Sequence, residues 1–114
     1  MKNPEVLHLF NSYEWYDMIE RGEKLEEYRS ISVWQKQICR YGGGYTVCGA
    51  ICPFQSPTCN IRVHTHISFV CFHRGYTSHT MMWTVKRIYI GKGNPKWGAP
   101  KEKVFIIELK ERVK

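Results

Sequence analysis

The sequence predicts an α+β domain: a small, curved barrel-like sheet of about five main strands, with two short helices in the N-terminal half. Three observations carry this expectation. The 114 residues, 43% hydrophobic, suffice for a single core that closes without disulfides or metal. Two segments with helical spacing both fall before residue 40. The last three strand-type segments have no helix between them, which favours antiparallel neighbours over a parallel βαβ arrangement.

Taken in order, Val6 to Phe10 is an apolar run of strand formers, and Asn11 with Glu14 three residues later has the pattern of a capping box. A helix over Ser12 to Arg21 follows, with Trp15, Tyr16, Met18 and Ile19 as its apolar positions and Gly22 as the left-handed residue after its last turn. Leu25 to Arg29 reads as a strand whose two-residue period places Leu25, Glu27 and Arg29 on one face and Glu26 and Tyr28 on the other. Strict alternation would put Lys24 on the far face, so it joins Glu27 and Arg29 only if the turn after Gly22 redirects it. Ser32 is placed to cap a short second helix carrying Trp34 and Ile38.

Residues 39–60, rich in Gly, Pro and Cys, read as a long loop or insertion. Val63 to Phe72 is expected as a half-buried strand, with Val63, Ile67, Phe69 and Cys71 inward and His64, His66 and Ser68 outward. Arg74 to His79 is a turn. Met81, Trp83 and Val85 fall out of phase with Ile88 and Ile90, so a bulge is expected near Lys86 and Arg87. Gly91 to Pro100 is a loop, and Val104 to Leu109, apolar on both faces, suits a central strand.

The formal net charge is +7, and residues 81–114 hold nine Lys/Arg against three acidic residues. Such a skew favours phosphate-bearing partners through counterion release. No apolar run approaches the ~20 residues of a membrane span, and the N-terminal residues lack the pattern of an export signal, so a cytoplasmic location is expected. Five cysteines without an export signal favour reduced thiols.

The run Gly22-Glu23-Lys24-Leu25-Glu26-Glu27-Tyr28-Arg29, with an aromatic-rich helix before it and Val33-Trp34 after it, resembles the signature of the ASCH family. The resemblance continues through Phe72-His73-Arg74-Gly75-Tyr76, Val85 to Gly91 and the closing strand Phe105 to Leu109. It implies a PUA-like β-barrel with helices at its openings, and a cleft in which Lys24, Glu27 and Arg29 face a ligand such as RNA or a modified nucleobase. Some ASCH members hydrolyse acetylated cytidine, and the resemblance then makes Lys24 a catalytic base or nucleophile with Glu27 in a proton-transfer role. Glu27 stands where those members carry a Thr, however, and the loop at 91–100 offers no equivalent of the later helix that supplies their Glu. A binding module is therefore expected ahead of an amidohydrolase.

The candidate residues also stand on their own chemistry. Arg29 offers a planar fork of donors that Glu27 can orient, although an exposed pair of this kind would be only a surface ion pair worth at most ~1 kcal/mol. Tyr28, Trp34 and Tyr76 are candidate ligand-stacking rings beside it. Lys86, Arg87, Lys92 and Lys96 are the candidate phosphate contacts, with Trp97, in a lysine-rich loop, as the candidate base-stacking ring. Cys48, Cys52 and Cys59 have zinc-ligand chemistry but atypical spacing, so buried thiols are the stronger reading and no cofactor is expected.

Overall fold

A computed structural model of the chain describes residues 5–34 and 67–114. It is a small α+β domain whose five strands form one curled, half-barrel sheet in the order β1-β3-β4-β5-β2. The strands are β1 (Glu5–Asn11), β2 (Glu26–Arg29), β3 (Ile67–Arg74), β4 (Thr80–Gly91) and β5 (Val104–Arg112), and helix α1 (Tyr13–Glu20) lies between β1 and β2. β1 runs parallel to β3, and every other neighbouring pair is antiparallel. The two ends of the sheet are thus β1 and β2, which α1 joins in sequence. No described helix is long and apolar enough to cross a membrane.

Strand alternation builds the core. Leu7 and Leu9 of β1, Val70 and Phe72 of β3, Met81, Trp83 and Ile88 of β4, and Phe105, Ile107 and Leu109 of β5 are buried in one cluster. Tyr16 and Ile19 close it from α1. Of the inward positions expected in β3, Ile67 and Cys71 are buried, but Phe69 is only half-buried, and Val70 and Phe72 enter the core in its place. A register shift at the start of the β1–β3 pairing, between Glu5 and Val6, changes the phase that simple alternation from Ile67 assumed. The irregularity expected in β4 near Lys86 and Arg87 is present between Val85 and Arg87, and a second register shift lies between Trp83 and Val85. β5 is a central strand with Val104, Phe105, Ile106 and Ile107 all buried, as its two apolar faces require.

The expected capping box does not form. Ser12, in extended conformation and without a side-chain capping bond, is the residue before α1, while Asn11 stays in β1 and turns its amide inward. The second helix begins earlier than expected: Ser30 accepts the Trp34 N–H at 3.0 Å, and residues 31–34 are helical. Ser32 is therefore inside the turn and does not cap it. The expected continuation to Ile38, the 39–60 segment, and the strand positions Val63, His64 and His66 lie outside the described residues.

Two glycines have distinct physical reasons. Gly22, at φ 80°, closes α1 with Gly22 N–H to the Ile19 carbonyl and Glu23 N–H to the Met18 carbonyl, both 3.0 Å, the paired bonds of a Schellman ending. Gly98, at φ 92°, lies against the Trp15 ring, and an added Cβ would stand 2.9 Å from Trp15 Cζ2. Gly22→Ala meets no neighbour and should cost about 1 kcal/mol from backbone conformation alone, whereas Gly98→Ala should cost more because the ring must also move. Urea unfolding of both variants checks the order of the two losses.

Candidate functional site

The ending of α1 delivers Lys24. After Gly22 the chain doubles back so that the Glu23 and Lys24 N–H groups both reach the Met18 carbonyl, at 3.0 and 3.2 Å, and β2 starts only at Glu26. Lys24 therefore does not follow the strand's alternation. Its Nζ donates to Glu27 Oε1 at 2.6 Å and to the Glu26 carbonyl at 2.5 Å.

Glu27 points inward from β2, and its other oxygen, Oε2, accepts from Arg29 Nη2 at 2.7 Å. The same Nη2 reaches across to the opposite end of the sheet, where it donates to Asn11 Oδ1 at 2.7 Å and to the Phe10 carbonyl at 3.2 Å. These contacts tie the two edge strands together. The group is thus not the surface ion pair that stood as its alternative: the Lys24 and Glu27 side chains are 2% and 8% exposed, and Arg29 is 18% exposed.

Two cations share the Glu27 carboxylate here, and the half-buried Glu26 carboxylate, held by Tyr28, also acts on Lys24, so acids counter much of the positive charge. Aromatic faces offset part of it: Lys24 Nζ lies 5.1 Å from the Tyr28 ring centre and 5.8 Å from that of Trp15, and the Arg29 guanidinium carbon lies 5.5 Å from that of Trp34. Burial pushes the Lys24 ammonium below its usual pKa, against the opposing pull of Glu27. Tyr28 is pushed up by burial and by its hydrogen bond to Glu26, so it stays a phenol and donates to Glu26 Oε1 at 2.6 Å. Two donors at the cluster, Arg29 Nε and Asn11 Nδ2, are buried without a hydrogen-bond partner among the described residues.

The loop after β4 forms a wall of the site. Asn94 N–H donates to the Tyr28 hydroxyl at 2.9 Å, Gly93 sits directly against the Tyr28 ring, and Gly98 against Trp15. The two rings flanking Lys24 are the two this loop rests on. Within it, Pro95–Trp97 forms a 3-10 turn that holds Trp97 half-buried, with Lys92 and Lys96 exposed.

The structure thus brings together Lys24, Glu27, Tyr28, Arg29 and Trp34, and sets the loop carrying Lys92, Lys96 and Trp97 beside them. Tyr76 is elsewhere: it is 95% exposed in the β3–β4 turn and stacks on the outward ring of Phe10. Lys86 is exposed, while Arg87 is paired with Glu108 at 2.5 Å and lies over the Tyr89 ring, so its charge is already engaged within the sheet. Cys48, Cys52 and Cys59 lie outside the described residues. Sequence reasoning missed Asn11, taken for a helix cap, and Trp15, taken for core. Scanned against family models, curated proteins and solved structures, the chain matches none.

Removing one partner of a buried ion pair leaves the other uncompensated. Glu27→Gln strands the Lys24 ammonium beside a neutral amide and should cost about 3–5 kcal/mol. Lys24→Met leaves Glu27 still paired with Arg29 and should cost less. Denaturant melts of the two single variants test the order, and an equal or inverted order would contradict the buried geometry.

Proposed function

We propose that the chain is a binding module, an ASCH-like domain with a PUA-like barrel, whose cleft at Lys24, Glu27, Arg29 and Asn11 recognises a nucleobase or nucleotide. The observation that carries the reading is the buried cluster of two cations about the Glu27 carboxylate, with two donors, Arg29 Nε and Asn11 Nδ2, that have no hydrogen-bond partner among the described residues. Buried donors without acceptors are costly, and a base carbonyl or a phosphate oxygen would satisfy both. Trp34 over Arg29 extends the cluster with a stacking surface. The exposed Lys92 and Lys96 on the adjoining loop suit the phosphate of the same ligand or of a flanking nucleotide in RNA.

A second reading, an amidohydrolase of acylated nucleosides, is favoured by one observation: burial shifts Lys24 in the direction that a lysine base or nucleophile needs. Against it, Nζ is spent on Glu27 and the Glu26 carbonyl and is closed to solvent. Release of cytidine from acetylated cytidine, abolished in Lys24→Ala, would establish this reading over the first.

For the binding module, titration with cytidine and uridine should give saturable binding, and Arg29→Lys should weaken it about tenfold because the planar fork is lost. A labelled single-stranded RNA pool should bind with an affinity that falls steeply as salt rises. Nucleoside affinity unchanged in Arg29→Lys, or RNA binding indifferent to salt, would overturn the assignment.

A further inference from the structure

On the outward face of the β1–β3 pair, opposite the buried Leu7, Leu9, Val70 and Phe72, the parallel register sets His8 beside Cys71 and Phe10 beside His73. The ligand-type atoms of His8, Cys71 and His73 lie within 4.8 Å of one another. His8 Nδ1 and His73 Nε2 face each other at 3.0 Å. In the metal-free chain one ring donates its N–H to the lone pair of the other, and a metal ion that replaces this proton can take both nitrogens.

We propose that His8, Cys71 and His73 form a binding site for a divalent transition metal, zinc by the character of its donors. Two imidazole nitrogens and one thiolate are the set that zinc accepts, with a fourth position left for water. In a tetrahedral site with metal–nitrogen bonds of ~2.0–2.1 Å, the two nitrogens stand ~3.3 Å apart, close to the spacing already present. Binding displaces the proton held between the rings, which passes through solvent to the other nitrogen of its own ring so that each ligating ring keeps one N–H, releases the thiol proton of Cys71, and forms two metal–nitrogen bonds and one metal–sulfur bond.

The supports are in place around the site. Strand β4 backs the site, with His73 paired to Thr80 and Cys71 to Met82. Phe10 stacks on His73, with ring centres 4.4 Å apart and planes 18° apart, and Tyr76 stacks in turn on Phe10 at 5.5 Å. That stack fixes the His73 ring, as outer groups around metal-binding histidines do. His8 is exposed, which gives a metal an open approach to the fourth position. The site is remote in kind from the Lys24 cluster: it lies on the other face of β1, carries no fixed charge and does not depend on the binding reading above.

The test uses the full chain, stripped of metal with chelator and titrated with Co2+ as a spectroscopic substitute for Zn2+, followed by Zn2+ competition. Uptake of one equivalent with a thiolate-to-cobalt absorption band is expected. His8→Ala, at an exposed position where the fold should be undisturbed, should weaken affinity at least about tenfold, and Cys71→Ser should remove the band. A combined Cys48→Ser, Cys52→Ser and Cys59→Ser variant should retain both uptake and band. No uptake, affinity unchanged in His8→Ala, a band undiminished in Cys71→Ser, or a band lost in the combined variant would each overturn the proposal.

Discussion

The Glu27 carboxylate is the constraint on which the rest of the structure depends. One oxygen holds Lys24 and the other holds Arg29, and through Arg29 the edge strand β2 is bonded to the opposite edge strand β1. An open five-stranded sheet has two exposed edges, each a row of unspent backbone groups. Here a side chain crosses between them, and Arg29 reaches both the backbone of Phe10 and the amide of Asn11. The same contacts thus bridge the two edges of the curled sheet and bury the Glu27 carboxylate. A buried ion pair is poor evidence of net stability, because desolvation offsets most of its attraction. What this one provides is geometry: it fixes which edges meet, with Arg29 Nε and Asn11 Nδ2 buried there without a hydrogen-bond partner among the described residues.

The elements with strong local signals were legible in the sequence. The apolar run of β1, the helix with its glycine ending, the phase break in β4 and the doubly apolar β5 all rest on periodicity or backbone conformation, which are local properties. The grouping of Glu27 and Arg29 on one strand face was legible for the same reason. Lys24 was legible only as a condition, since its direction depends on hydrogen bonds back to Met18 that alternation does not encode. Asn11 was misread because the same side chain can cap a helix or accept from a distant arginine, and the tertiary bond to Arg29 won. The parallel pairing of β1 with β3, and with it the meeting of His8 with Cys71 and His73, joins residues more than sixty positions apart in the chain and leaves no local trace.

The basic final third takes a more specific form in three dimensions than net charge suggested. Arg87 is neutralised by Glu108 across the β4–β5 pair, and Arg112 lies 3.7 Å from Glu20 of α1, so part of the excess is spent within the fold. The loop lysines are different, because their backbone is fastened to Tyr28 and Trp15, the rings on either side of Lys24. The loop expected to carry Trp97 among lysines is packed against the Tyr28 and Trp15 rings.

The central claim, that the edge-closing cluster also receives a ligand, is tested most directly at the Arg29 Nε–H itself. In protein labelled with nitrogen-15 arginine, its side-chain resonance can be followed by NMR while cytidine or uridine is added. The account predicts that this resonance, assigned by its loss in Arg29→Lys, moves and saturates with the nucleoside, while the Nε–H of Arg87, already paired with Glu108, stays in place. An Arg29 Nε–H that is unmoved at saturating nucleoside would mean that the cluster closes the sheet and binds nothing.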